Sequence, residues 1–261
     1  MLKWLYRLLI ELTNQPISSK VLKAFSKSRL STGLIPSYAK IYKINQDEME
    51  KKIKSYASLQ DFFVRRLKSG SRQIDLLRNS VVSPVDAIIE EIGVINGTNT
   101  FRVKGKEYSI AEMLGQKANY QKYIDGIFVI LYLSPSHYHR IHSPISGTIT
   151  HQWSLGQKSY PVNKLGLKYG KHPLAKNFRK ITEVTSDGQH LAIVKVGAMF
   201  INSIEMTHTS EQLIKGEEIA YFSFGSTVVL LFEKGKFKLD ESIVTPMEVK
   251  VGEKIGYFSD V

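Results

Sequence analysis

Gly225-Ser226-Thr227 interrupts an apolar run, Phe222 to Phe232, that otherwise reads as one β-strand. Strand interiors disfavour glycine, so its presence points to a bend or a close backbone approach. Ser226 is a potential nucleophile, and Gly225, lacking a side chain, leaves its own carbonyl open to attack. Two further groups can take part in such chemistry. His137, His139 and His142 put three of the seven histidines within six residues, and Asp86 stands directly before the apolar Ala87-Ile88-Ile89. A carboxylate at the edge of a buried strand can orient a histidine and stabilise its charge, and the histidine can deprotonate a serine hydroxyl. The residue types leave open which histidine would serve. They also admit simpler readings, with Gly-Ser-Thr as a bulge or hairpin turn and His-x-His-x-x-His as a metal site. The metal reading lacks an adjacent carboxylate and evident downstream ligands.

The elements that must position these groups change character along the chain. Residues 1–14 read as a helix whose polar stripe, Lys3, Arg7 and Glu11, is spaced four apart, with Trp4, Leu5, Leu8, Leu9 and Leu12 covering the rest. Such a helix can lie in a membrane interface or pack on its own domain. Helical material is expected to continue to about residue 70. One segment begins at Ser18-Ser19, another opens at Gln46, and a third is capped by Ser58 with Asp61 at N3. From about residue 80, β-branched runs separated by Gly, Pro and Asn turns predict strands. This β portion echoes itself. Ser83-Pro84-Val85-Asp86-Ala87-Ile88-Ile89 parallels Ser143-Pro144-Ile145-Ser146-Gly147-Thr148-Ile149, and Gly216-Glu217-Glu218-Ile219-Ala220-Tyr221-Phe222 parallels Gly252-Glu253-Lys254-Ile255-Gly256-Tyr257-Phe258. Similar phrases occur in biotinyl and lipoyl carrier folds. The expected fold is therefore α+β: a helical region over residues 1–70, then a β-rich core over 71–261. Two curved sheets with pseudo-symmetric halves are expected, as a sandwich or partly open barrel.

Composition bounds the function. With 36 basic and 24 acidic residues the net charge is +12, which favours an anionic partner. No cysteine is present, so disulfides, thiol nucleophiles and Cys-ligated metals are excluded. No apolar run reaches the roughly 20 residues that span a bilayer. No nucleic-acid motif or aromatic-basic platform accompanies the charge.

The ordered set of motifs resembles the phosphatidylserine decarboxylase family, in its short bacterial form. The resemblance rests on Asp86 in Ser-Pro-Val-Asp, on Tyr138-His139-Arg140-Ile141-His142-Ser143-Pro144, and on Phe224-Gly225-Ser226-Thr227. It continues through Tyr56-Ala57-Ser58-Leu59-Gln60-Asp61-Phe62-Phe63 with Arg65 and Leu67, Lys104-Gly105, Pro161-Val162-Asn163 and Val196-Gly197-Ala198, from about residue 25 to the end. Arg72-Gln73-Ile74, Ala220 and Asn202 depart from the family's usual Arg-Pro-Ile, Gly and Gly.

The resemblance implies that the chain cuts its own Gly225-Ser226 bond and turns Ser226 into a pyruvoyl cofactor. It implies that Asp86 orients His142, that His142 activates the Ser226 hydroxyl, and that His139 positions the substrate carboxylate or reprotonates the carbanion. A decarboxylase of an α-amino acid needs an electron sink, which a pyruvoyl carbonyl supplies. No metal is expected. The expected partners are phosphatidylserine, an anionic membrane surface met peripherally at the cytoplasmic face, and the small chain 226–261 held non-covalently by the large one. Nucleic acid is not expected, and the sequence leaves room for a homodimer. Two other classes compete: a metallohydrolase using His137, His139 and His142, which chelation would inactivate, and a non-catalytic β module binding anionic lipid. The carrier attachment sequence Met-Lys-Met is absent; Thr245-Pro246-Met247-Glu248-Val249-Lys250 is a loose echo.

Overall fold

Strands dominate from Ser80 onward in the computed structural model, which describes residues 16–115, 119–198 and 203–259. The helix expected over residues 1–14 and the position of Asn202 lie outside the described residues. The α+β class is borne out, with no closed barrel among the described residues. The strands form four sheets instead of two. The largest has eight strands in the order Gln212–Leu213, Gly147–Leu155, Arg179–Ser186, Gln189–Gly197, Ser226–Phe232, Ile127–Leu133, Ala87–Val94 and Met247–Val249. Two three-stranded sheets and the hairpin Thr100–Val103/Lys106–Ser109 complete the set.

The apolar run after Gly225 has no polar alternation because both faces of its strand are buried. Val228, Leu230 and Phe232 enter a core shared with Val81, Ile141, Ile219 and Ile255 of the three-stranded sheets. Val229 and Leu231 enter the opposite core, with Phe101, Tyr108, Met113 and Leu174. Each such side chain, fully buried, contributes about 1.5–3 kcal/mol.

The sequence echoes are a physical pseudo-dyad. Val82 N–H donates to the Pro144 carbonyl at 3.0 Å, and His142 N–H donates to the Pro84 carbonyl at 2.8 Å. The Ser83 and Ser143 hydroxyls each donate to the carbonyl two residues on, both at 2.7 Å. Ser83 N–H meets the Glu253 carbonyl as Ser143 N–H meets that of Glu217, again both at 2.8 Å. Ser80–Val82 pairs with Lys254–Phe258 as Arg140–His142 pairs with Glu218–Phe222. In one half the two central strands, Arg179–Ser186 and Gln189–Gly197, are joined by a tight hairpin. In the other half the equivalent pair is Ile127–Leu133 and Ser226–Phe232. The entire first half, residues 140–222, is inserted between them. The chain therefore enters the insert through residues 134–139 and leaves it through 223–225.

The helical layer is shorter than the sequence suggests. Helices Pro16–Lys27, Ile35–Ile41 and Leu59–Phe63 pack with the turn Arg29–Leu34 over Ile35, Ala39, Met49, Tyr56 and Phe62. Ser58 caps the last helix by accepting from Asp61 N–H at 3.1 Å, and the Asp61 carboxylate accepts from Ala57 N–H at 3.0 Å. This helix stops at Phe63 and the segment opened by Gln46 forms no helix, for one reason. Residues 48–50 pair with 66–68: Glu50 N–H donates to the Arg66 carbonyl and Lys68 N–H to that of Glu48.

Candidate active site

The two connections into and out of the inserted half run side by side, which brings the histidine segment to Ser226. Phe222 N–H donates to the His139 carbonyl at 2.9 Å, and Ser226 pairs with Leu133 across the sheet. On its other side Ser226 pairs with Gly197, where a Cβ would lie 2.4 Å from Ser203 Oγ. A side chain at 197 is thus excluded by the close approach of Ser203. The Gly225 carbonyl accepts from Ala198 N–H at 2.9 Å, so the bond before Ser226 is already polarised by a main-chain donor.

Ser226 is fully buried and its hydroxyl has no hydrogen-bond partner among the described residues. The hydroxyls of Ser203 and Thr227 and Nε2 of His139 are likewise buried and unpartnered. Each such group costs about 1–3 kcal/mol relative to a paired one, so they mark a place where the fold gives up stability.

His139 Nδ1 lies 2.8 Å from the His137 carbonyl, so Nδ1 carries the proton and Nε2 presents a lone pair. Burial and the nearby Arg65 charge hold its pKa well below the usual histidine value, so the ring is neutral. Phe63 packs against it with ring centroids 3.9 Å apart, and Phe224 stacks on Phe63 at 5.6 Å. His142 Nδ1 is 2.7 Å from the Gly216 carbonyl, and its Nε2 lies 3.3 Å from the Tyr138 hydroxyl. Burial lowers its pKa, while the Gly216 carbonyl, Glu218 and Asp86 pull the other way. His137 accepts from Ser134 N–H through Nδ1 and turns Nε2 to Glu248 at 3.5 Å. Among the described residues, no three His, Cys, Asp or Glu side chains converge as a metal cage. The three histidines instead face three different partners.

Asp86 is buried and makes its contacts elsewhere. Its Oδ1 accepts from Arg72 Nε at 2.8 Å and from Val251 N–H at 2.9 Å, Oδ2 accepts from Arg72 Nη2, and that nitrogen also reaches Glu48 at 3.0 Å. The pseudo-dyad explains the Val251 contact, because Ser146, the counterpart of Asp86, accepts from Lys215 N–H at 3.0 Å. No hydrogen bond joins Asp86 to His142 or His142 to Ser226. Sequence alone gave no role to Arg72, Tyr138 or Ser203, and it read Arg65, with Arg66 and Lys68, as able to touch phosphates but more simply as a solvated helix face. Arg65 and Tyr138 lie within the quoted motifs, and Arg72 within the departure Arg72-Gln73-Ile74, but only the contacts give them work.

A buried serine hydroxyl beside a polarised glycine carbonyl, with neutral histidines close by in the chain, gathers a nucleophile, an electrophile and proton acceptors in one place. Comparison with known proteins shows the family of the chain. The family model described as phosphatidylserine decarboxylase matches residues 59–257. A phosphatidylserine decarboxylase proenzyme of Geobacillus sp. (strain WCH70) is 69% identical over 257 residues, covering 98% of this chain and 99% of that one. The proenzyme of that name from Geobacillus kaustophilus (strain HTA426) is 66% identical over 100% of this chain and 98% of its own, and that from Bacillus mycoides (strain KBAB4) 56% over 98% and 97%. The chain is an enzyme of the carboxy-lyase class. It belongs to the phosphatidylserine decarboxylase family.

Proposed function

We propose that the protein decarboxylates phosphatidylserine to phosphatidylethanolamine and CO2 at a membrane surface, after cutting itself between Gly225 and Ser226. The observation that carries this reading is the unpartnered, buried Ser226 hydroxyl next to the Gly225 carbonyl held by Ala198 N–H.

Ser226 Oγ attacks the Gly225 carbonyl carbon, and the amide C–N bond breaks as the ester forms. His142, neutral and with Nδ1 committed to Gly216, takes the hydroxyl proton at Nε2 and returns it to the released amine. Ala198 N–H stabilises the developing oxyanion. Asp86 acts in this scheme by its negative charge near His142, and it reaches the ring only when its hold on Arg72 loosens. Loss of the Cα proton expels the Gly225 carboxylate, and water replaces the nitrogen, which leaves as ammonia.

The unpartnered Ser203 and Thr227 hydroxyls and the bare His139 Nε2 fit a small polar group at position 226. The pyruvoyl made there supplies a carbonyl electron sink for an amino-acid carbanion. His139 Nε2, bare in the neutral ring, takes a proton from the substrate ammonium and gives it to that carbon, and Phe63 and Phe224 keep water from it. The strand Ser226–Phe232 pairs on both sides within the large sheet, so chains 1–225 and 226–261 stay together without the bond.

The membrane reading draws on the helical layer. Val21, Phe25, Leu30, Leu34, Ile41 and Tyr42 are exposed there, beside exposed Lys27, Arg29, Lys40 and Lys43. No described helix is long and apolar enough to cross a membrane. The exposed apolar and basic side chains suit peripheral binding, which this reading puts at the cytoplasmic face. Purified protein incubated with vesicles containing phosphatidylserine tests the whole scheme. Release of CO2 together with two chains by intact mass is expected; an intact chain that releases CO2 refutes the self-made cofactor.

A further inference from the structure

Arg65 follows the capped helix Leu59–Phe63 and turns its guanidinium inward, leaving the residue 4% exposed. Nη2 donates to the carbonyls of Ser136 at 2.7 Å and His137 at 3.0 Å. Nε and Nη1 are buried and have no hydrogen-bond partner among the described residues, which leaves three of the five guanidinium N–H groups unmet there. None of the ion pairs among the described residues includes Arg65. A buried cation with unsatisfied donors is costly to hold, and the fold holds this one beside the reacting groups. The His137 carbonyl that accepts from Arg65 also accepts from His139 Nδ1. The Arg65 fork and the bare His139 Nε2 are thus fixed to one oxygen atom.

We propose that Arg65 binds the phosphodiester anion of the substrate headgroup through Nε and Nη1, beside the His139 imidazole. This rests on the decarboxylase reading above. A guanidinium presents parallel N–H donors that match two phosphate oxygens. The substrate carries a second anion, its carboxylate, but a cation there would stabilise the charge that must vanish as CO2 leaves. The phosphodiester keeps its charge through the reaction, so a cation on it strengthens ground state and transition state alike. The carboxylate is then left to the side of Phe63 and Phe224, where an apolar environment favours its loss.

The test uses full-length protein and two soluble probes. Glycerophosphoethanolamine carries the phosphodiester and amine without a carboxylate; L-serine carries the carboxylate and amine without a phosphodiester. Calorimetric titration of wild type, Arg65→Lys and Arg65→Met, each first checked for a cooperative melt, compares them. Glycerophosphoethanolamine should bind Arg65→Met at least about tenfold more weakly than wild type, with Arg65→Lys between and serine binding unchanged. With short-chain phosphatidylserine, KM should rise by a similar factor and kcat should change little. Loss of serine binding instead would assign Arg65 to the carboxylate and overturn the proposal. Unchanged glycerophosphoethanolamine binding, or none by wild type, also overturns it. Should Arg65→Met fail to fold, the Arg65 Nε–H resonance of wild type decides: it must move on adding glycerophosphoethanolamine, and a still resonance overturns the proposal. Arg65-dependent probe binding by a wild type that releases no CO2 would sink the decarboxylase reading and leave the anion site standing.

Discussion

Arg72 grips both carboxylate oxygens of Asp86, with Nε at 2.8 Å from Oδ1. The residue that the family resemblance assigns to orient His142 is thereby tied to the segment linking the helical layer to the sheets. Arg72 also reaches Glu48, so the same guanidinium joins Asp86 to that layer. Both side chains of the Arg72–Asp86 pair are about nine-tenths buried, at 11% and 9% exposure.

Removing one partner of such a pair strands the other. Arg72→Met should destabilise the protein by about 3 kcal/mol, and Asp86→Asn by less, since an amide still accepts from Val251 N–H. Combining the two should cost less than the separate losses added together. Denaturant melts of the two single variants and the double variant measure the coupling, and strict additivity would show that the contact contributes nothing.

Ser226→Ala, His142→Ala and Asp86→Asn should each block formation of the chain 226–261. Their effects should not add, because they act on one proton transfer. Intact-mass spectra of the purified variants report this directly. A two-chain product from Ser226→Ala would remove that hydroxyl from the scheme.

Lys195 is fully buried, donates to Thr182 Oγ1 at 2.7 Å, and is lowered to about 7 by burial and by Lys180. Its folded pKa lies below its unfolded value of about 10.5, so the unfolded chain binds more protons between those limits. Stability should therefore rise with pH from about 7 to about 10.5, by on the order of 4 kcal/mol at most. Lys195→Met should flatten that slope. His139, held below the usual histidine value by burial and by Arg65, has the same sign in a lower window, where stability falls as pH drops below about 6.5. Unfolding midpoints measured across pH on both sides of neutrality separate the two groups; an unchanged slope in Lys195→Met would assign it elsewhere.

Membrane binding should depend on the exposed apolar side chains of the helical layer and on residues 1–14. Leu30→Glu and Ile41→Glu, at positions 83% and 71% exposed, should weaken sedimentation with anionic vesicles while leaving cleavage intact. Deleting residues 1–14 should act in the same direction. High salt should weaken wild-type binding only in part, since charge is screened within a Debye length of about 8 Å and apolar insertion is not. Equal binding by all these proteins would mean that this face has no part in membrane contact.

The sequence by itself determined the α+β division, the family, the candidate residues Asp86, His139, His142 and Ser226, and the internal echo. These are legible locally: periodicity shows which faces are buried, and the motifs are contiguous. The doubled Ser-Pro and Gly-Glu phrases pointed to pseudo-symmetric halves, and only the structure showed that residues 82–84 and 142–144 bond to each other. What the sequence could not supply was the partner of each side chain. Ser226 meets the histidine segment because one half of the pseudo-dyad is inserted into a hairpin of the other, a relation between residues some ninety positions apart. Gln46-Asp47-Glu48-Met49-Glu50 read as a helix start, yet pairing of residues 48–50 with 66–68 overrode local propensity. Arg65 read as part of a solvated basic helix face and Arg72 had no role of its own, and only tertiary burial showed what each one holds. Burial is set by everything that packs around a residue, and so are the lowered pKa values of His137, His139, His142 and Lys195 that follow from it.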